Sequence, residues 1–257
     1  MNRFAAIYQR ELRWYFHSPV AYAVIAAFVW VSGYFFYNLL AYFNMTAIQA
    51  MQNPIHEMSL NLTHSVVQPY FSDLTLILLL LVVPALTMRQ LAEERRSGSA
   101  ELLFTFPVSH WHVVLGKYAA AVTMYSVMLI LTIIFPAILV HYATPDPGPL
   151  STGYVGLLMM GVAFIAMGMF FSATATSQMV AGMLSASFGL VFLLVAWLEP
   201  FVSAPTAAVI GQLSILGHFD SFARGVIDTN DIIYYVNVAV FFIFLCARVV
   251  DSQRWRG

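Results

Sequence analysis

Residues 71–90 read FSDLTLILLLLVVPALTMRQ, a mostly apolar run whose charged residues, Asp73 and Arg89, lie near its ends. Its length matches the roughly 20 residues with which a helix crosses a hydrocarbon layer about 30 Å thick. More charged residues follow directly after it. The run therefore predicts a membrane-spanning helix that leads into a polar connection.

The composition of the whole chain fits a membrane protein. Of its 257 residues 9% are charged and 61% hydrophobic, and the mean hydropathy is +0.80. A soluble domain carries about 25% charged and roughly 45–50% apolar residues. Apolar runs predict six spans, near 20–43, 71–90, 112–141, 153–172, 178–198 and 232–250. We expect one all-α transmembrane domain over residues 1–257, with no basic patch for nucleic acid and, with a single cysteine, no intrachain disulfide.

The distribution of Lys and Arg predicts the orientation. Six spans place both termini on one side, and ten of the eleven basic residues flank connections on that side. They are Arg3, Arg10, Arg13, Arg89, Arg95, Arg96, Lys117, Arg248, Arg254 and Arg256, whereas Arg224 alone lies on the other side. Because cytoplasmic connections are enriched in Lys and Arg, both termini are predicted to be cytoplasmic.

Three segments outside the spans have their own patterns. Residues 1–18 show apolar residues at helical spacing with basic residues opposite, which predicts an interfacial helix, broken at Ser18-Pro19 before a bundle over 19–250 and a tail over 251–257. A positively charged flank without a helix of its own is the alternative.

Residues 44–70 form a polar external connection. Residues 199–231 are too long for a turn and too apolar for a solvated loop, so we expect a re-entrant external hairpin or, alternatively, a capping loop.

The connection between spans two and three is charged and contains residues that can begin and end a short helix. Residues 89–101 hold six charges, Gly98 or Ser99 can begin a short helix, and Pro107 ends it. Such a helix could pass motion from a soluble motor to the spans, since coupling needs a stiff contiguous element. A solvated loop that prevents translocation is the equally open alternative.

The residues of this connection carry a family resemblance. The string 94–103, ERRSGSAELL, followed by Pro107-Val108-Ser109 and Gly116-Lys117, resembles permeases of the ABC type-2 exporter family. Arg10-Glu11-Leu12-Arg13 with Ser18-Pro19 looks like the elbow helix of that family, and Phe171-Ser172 to Ser177-Gln178 like its turn between spans four and five. Residues 217–228 look like the gliding-motility-associated subgroup. Ser99 stands where the family often has threonine.

The resemblance implies a transport function and partners. It implies two permease subunits, identical or related, on two nucleotide-binding ATPase subunits, with a coupling helix at about 94–108 docked on the ATPase. In the subgroup it also implies a membrane-anchored auxiliary subunit with an external domain. Localisation would be the bacterial cytoplasmic (inner) membrane, and the substrate stays open. The coupling residues on this interpretation are Glu93, Glu94, Arg95, Arg96, Gly98, Glu101, Leu102 and Pro107.

The chain lacks the pattern of an ATPase and of a metal site. A phosphate loop needs Gly-x-x-x-x-Gly-Lys-Ser/Thr, but Gly116-Lys117 is followed by Tyr118. ATP and Mg²⁺ are therefore expected in the partner, and no cofactor or catalytic residue in this chain. His110 and His112 have no further ligands at metal-binding spacing, so we interpret them as interfacial residues.

Small and polar residues within the spans give further candidates. Ala181, Gly182, Ser185 and Gly189 form a small-residue ridge, which we interpret as a dimer interface, with packing inside one bundle as the alternative. Asn38 and Asn237 are polar residues at membrane depth and could line a pathway, although interhelical hydrogen bonding is the alternative for Asn237.

Two other classes of protein were weighed. An ion-coupled secondary transporter needs midplane charges and broken helices, which the sequence does not convincingly supply. An intramembrane protease of the Glu-Glu-x-x-x-Arg type is disfavoured because Gly98 occupies the arginine position after Glu93-Glu94.

Overall fold

Membrane-length helices dominate the computed structural model, which describes residues 3–52, 61–93, 109–198, 202–203, 210–212 and 214–253. Six helices in these ranges are long and apolar enough to cross a membrane. Numbered as spans one to six, they are Pro19–Gln52, Thr63–Thr87, His110–Tyr142, Pro147–Thr174, Gln178–Leu198 and Thr229–Gln253. The prediction of an all-α chain with six spans is confirmed.

The first two spans are longer than their apolar runs. Residues 44–52 and 63–70, predicted as part of a polar connection, are helical, so that prediction was wrong at both ends of the connection. A helix satisfies its backbone hydrogen bonds internally and can continue beyond the apolar run that enters the membrane. Polar side chains there bond within the helix, as the Thr46 hydroxyl does when it donates to the Tyr42 carbonyl at 2.9 Å.

Widened or broken turns occur beside prolines in spans two and three. Span two has π-helical turns at Thr63–Val67 and Leu78–Val82, just before Pro69 and Pro84. Span three is interrupted at Ile133, three residues before Pro136. Proline has no N–H to donate and its ring collides with the preceding turn, which explains why the irregular turns lie there.

Span four occupies the centre of the bundle. Of the residues in its most apolar stretch 72% are buried, against 17% for the same stretch of span one. Glycines let neighbouring rings lie against its backbone: a Cβ on Gly156 would come within 2.6 Å of Phe222, and one on Gly161 would run into Tyr125. The hydroxyl of Tyr125 donates to the Leu157 carbonyl at 2.6 Å. The glycines of span four therefore serve packing inside the bundle.

A helix at Arg3–His17 precedes span one, with the chain turning at Ser18. It packs along the beginning of span three, near Gly116 and Lys117. We call this end of the bundle, with residues 88–93, His110 and the end of span six, the basic end. That the N-terminal helix lies flat in a membrane surface stays a prediction.

A short helix, Ile215–Ala223, lies at the opposite end. The Thr152 hydroxyl of span four donates to its Phe222 carbonyl at 2.6 Å. Its His218 contacts Asp231 at the start of span six, with Nδ1 and Oδ1 2.6 Å apart. Residues 199–201, 204–209 and 213 lie outside the described residues, so the re-entrant hairpin and the capping loop both stay predictions.

Candidate functional site

The basic end carries the residues that flank the predicted coupling segment. Seven predicted coupling residues lie outside the described residues: Glu94, Arg95, Arg96, Gly98, Glu101, Leu102 and Pro107. Glu93 is the last described residue before the segment. Ser109 and His110 are the first described residues after it. The contacts of these flanks show which parts of the bundle adjoin the segment.

Ser172, near the end of span four, holds the entry to the segment. Its hydroxyl accepts hydrogen bonds from the backbone N–H of Leu91 at 3.1 Å and of Ala92 at 3.2 Å, and donates to the Met88 carbonyl at 3.2 Å. Ser172 and Ala92 are fully buried. One hydroxyl therefore satisfies three backbone groups that the end of span two leaves without helical partners.

Glu93 is joined to the end of span two by charge. The Arg89 guanidinium donates to both carboxylate oxygens of Glu93, Nε to Oε2 at 2.9 Å and Nη2 to Oε1 at 3.0 Å. The same guanidinium lies 4.1 Å from the centre of the Trp14 ring of the N-terminal helix. A bidentate pair of this kind restricts geometry more than a single contact does, so Glu93 is held next to the N-terminal helix.

Tyr15 fastens the N-terminal helix to span two. Its hydroxyl donates to the Leu86 carbonyl at 2.8 Å and accepts from Gln90 Nε2 at 3.1 Å. Burial raises the pKa of Tyr15 well above its usual value, so the phenol stays neutral and keeps its proton for the carbonyl. These two hydrogen bonds join the N-terminal helix to the end of span two, which lies about seventy residues later in the chain.

Glu11 and Lys117 fasten the same helix to span three. Lys117 Nζ donates to Glu11 Oε1 at 3.1 Å, with Lys117 3% and Glu11 14% exposed. Burial acts to raise the pKa of Glu11, but Lys117 and Arg10 more than offset it and hold the pKa below its usual value. Gly116 allows the close approach, because a Cβ there would lie 2.9 Å from Ile7.

The exit from the segment contacts span six. His110 Nδ1 lies 3.6 Å from Asp251 Oδ1, and the ring of Trp111 lies 6.5 Å from that of Phe244. Among the described residues no three His, Cys, Asp or Glu side chains gather as metal ligands. The entry to the segment is thus hydrogen-bonded to Ser172 of span four and paired with Arg89 after span two, and the exit continues into span three with His110 near span six.

The small-residue ridge of span five packs inside the chain. Ala181 is buried beside Ala92 and Ala175, and Ser185 is 1% exposed. A Cβ on Gly182 would meet Met88 at 3.5 Å, and one on Gly189 would meet the Leu79 carbonyl oxygen at 3.1 Å. These residues therefore contact span two and Met88 just after it within the chain, and the dimer interface predicted for them stays a prediction.

The two asparagines lie on outer surfaces of the bundle. Asn38 is exposed on span one, where its Nδ2 donates to the Tyr34 carbonyl at 2.8 Å. Asn237 is exposed on span six. Neither faces the interior of this chain, so a pathway lined by either residue would lie between this chain and another surface.

The sequence alone assigned no role to the residues whose contacts hold the flanks of residues 94–108. Ser172, Glu11 and Lys117 each lie in strings that carry the family resemblance, but no role followed for them. Tyr15 and Gln90 gave no signal, since their pairing depends on how the N-terminal helix crosses span two.

Comparison with protein families gives one finding that bears on this geometry. A family model described as ABC-2 family transporter protein matches residues 23–250. The match covers most of the chain and all six spans apart from the beginning of span one and the last residues of span six. The search of curated proteins gave no match.

Proposed function

The chain belongs to the ABC-2 transporter family, whose members are permease subunits paired with an ATP-binding subunit, and we propose that the partner drives this chain through residues 94–108. The permease itself is the membrane component of the transporter and has no catalytic role of its own. ATP and Mg²⁺ then act in the partner, while residues 94–108 receive the motion that hydrolysis produces.

Anchoring of the flanks of residues 94–108 is the observation that supports this proposal. Ser172 and Arg89 hold the entry, and His110 contacts span six at the exit. A segment whose entry is held by buried and bidentate contacts, and whose exit continues directly into span three, passes a displacement on to the bundle. A free solvated loop would need none of these contacts, so the anchors favour the coupling interpretation over the loop interpretation.

The test is charge reversal in the full chain, purified with its ATPase partner. Glu94→Lys with Glu101→Lys places two cations where the partner would meet carboxylates, and we expect weaker association and lower stimulation of ATP hydrolysis. The matched control is Asp220→Lys, an exposed carboxylate at the opposite end that pairs with Arg224. Unchanged association and stimulation in the double variant would refute the coupling role.

Orientation is tested separately by labelling. Cys246, the single cysteine, is buried, so a Ser97→Cys variant adds one new thiol within the predicted coupling segment. We propose cytoplasmic termini in a bacterial inner membrane, since most basic residues lie at the basic end. A membrane-impermeant maleimide added to intact cells should then leave Ser97→Cys unlabelled and label an Asp228→Cys control. Labelling of Ser97→Cys from outside would overturn the orientation.

We further propose that span one faces a second permease subunit and the transport pathway. Its outer face exposes Trp30, Tyr34 and Tyr37 by 72%, 57% and 69%, next to Asn38. The outer face of span three is aliphatic instead, with Ile130 and Ile134 exposed by 62% and 58%. Hydroxyl and amide groups at membrane depth are costly against lipid and favour a protein or aqueous neighbour.

Cross-linking separates these two faces. In a short-linker thiol cross-linking experiment, Tyr37→Cys should give a dimer of the chain, whereas Ile134→Cys should not. If Tyr34→Cys, Tyr37→Cys and Asn38→Cys all gave monomers only, a partner subunit on span one would be refuted.

Membership of the gliding-motility-associated subgroup, with its auxiliary subunit, stays part of the proposal. The sequence of residues 217–228 supports it.

A further inference from the structure

The short helix Ile215–Ala223 is held to the start of span six through His218. Nδ1 of His218 lies 2.6 Å from Asp231 Oδ1, and its Nε2 lies 3.2 Å from the Gln212 carbonyl oxygen. A neutral imidazole offers one N–H donor and one acceptor, whereas an imidazolium offers two donors. Because both ring nitrogens of His218 face oxygen atoms, the two contacts need one proton more than a neutral histidine beside an ionised aspartate supplies.

Asp231 brings a carboxylate into a buried position. It is 5% exposed and lies in the first turn of span six, where the positive end of the helix dipole favours a negative charge. Its second oxygen, Oδ2, is buried without a hydrogen-bond partner among the described residues. The Tyr235 hydroxyl donates instead to the Ile215 carbonyl at 2.7 Å. Removal of one charge from a buried pair leaves the other uncompensated, which is strongly destabilising, so Asp231 favours the form of the pair that holds the proton.

The other groups around His218 favour a positive charge or carry none. The ring of Tyr234 stacks on the imidazole, with ring centres 4.0 Å apart and ring planes at 22°, and an aromatic face attracts a cation. The helix packs against spans four, five and six. Span five and residues 210–212 contain no titratable side chain, and span four contains Tyr154 alone. The charged side chains of the short helix and of the turn after it are exposed: Asp220, Arg224 and Asp228.

We propose that His218 and Asp231 form a proton-binding site that latches the short helix to span six, and that loss of the proton at alkaline pH loosens this helix. With the proton, Nδ1 and Nε2 each take part in a hydrogen bond. Without it, one ring nitrogen presents a lone pair to an oxygen atom. The docked helix binds the proton, so docking is stabilised at low pH and this stabilisation is lost as pH rises. On the orientation proposed above, this end of the bundle faces the outside, so the latch would respond to external pH.

Hydrogen exchange of the full chain in detergent, followed by mass spectrometry, tests the latch. Protection of the short helix is compared at about pH 5.5 and about pH 8.5, on either side of the range in which histidine changes charge, after correction for the intrinsic pH dependence of exchange. We expect about tenfold lower protection at the higher pH, the effect of losing one charge-assisted hydrogen bond. Protection of span four should not change, which shows that the bundle stays folded. Equal protection of the short helix at both pH values would overturn the proposal.

Two variants assign the effect to this pair. His218→Phe keeps a ring against Tyr234 but cannot bind the proton, so the short helix should be about tenfold less protected at the lower pH and should not respond to pH. His141→Phe removes an exposed histidine at the same end and should leave the pH response unchanged. A pH response that survives in His218→Phe, or that is lost in His141→Phe, would also overturn the proposal. These readouts need neither the ATPase nor a particular orientation in the membrane.

Discussion

The buried pair between Glu11 and Lys117 gives the sharpest test of how the N-terminal helix is held. At an effective dielectric constant of about 20, charges 3.1 Å apart attract by about 5 kcal/mol. Desolvation of both groups opposes much of this attraction, and removal of one partner of a buried pair costs roughly 3–5 kcal/mol. Arg10, 2.7 Å from the same carboxylate oxygen but 54% exposed, offers Glu11 a weaker second partner.

A double-mutant cycle measures the coupling. We expect Lys117→Met to cost about 2 kcal/mol, because Arg10 still faces Glu11, and Glu11→Gln to cost about 3 kcal/mol. For a chain of this size about 1 kcal/mol shifts the melting temperature by roughly 2–4 °C, so the single variants should melt about 6 and 9 °C lower. The double variant should melt about 8 °C lower, well short of additivity, since both single variants remove the same attraction between Glu11 and Lys117.

Intrinsic tryptophan fluorescence during a thermal ramp in detergent is a suitable assay. Arg224→Gln serves as the control, because its pair with Asp220 is exposed and should contribute less than about 1 kcal/mol. Additive shifts in the double variant, within about 1.5 °C, would show that Glu11 and Lys117 do not interact. The N-terminal helix would then not be fastened to span three by charge.

Three further outcomes follow from the same structure. Ser172→Ala removes the acceptor of two buried N–H groups and should cost about 2 kcal/mol by thermal melt, whereas Ser151→Ala, which is exposed, should cost little. Gly161→Ala would force a Cβ into an aromatic ring and should cost about 1–3 kcal/mol, but Gly148→Ala has nothing within 4 Å and should not. The lowered pKa of Glu11 stabilises the fold above its unfolded pKa of about 4.3, so melting temperature should fall as pH drops below that value, and Glu11→Gln should lose this part of the decline.

Local pattern was enough to locate the spans. The fifth span was predicted at 178–198 and is Gln178–Leu198, and the even number of spans follows from the apolar runs alone. Where prediction failed, at residues 44–52 and 63–70, helix continues beyond the apolar run. Hydropathy indicates which residues are favourable in a lipid environment, but it does not indicate where a helix ends.

The arrangement of the helices depended on contacts between distant parts of the chain. Ala181, Ser185 and Gly189 suit a neighbouring helix from this chain as well as one from another, and only the tertiary structure shows that these residues have neighbours within the chain. Lys117 meets Glu11 across 106 positions, and Ser172 meets Leu91 across 81. By itself, the sequence determined that the chain is a six-span membrane protein, because solvation by lipid acts on each run separately. The tertiary structure decided which buried charges and hydroxyls hold the basic end, since pairing requires both partners to be brought together in space.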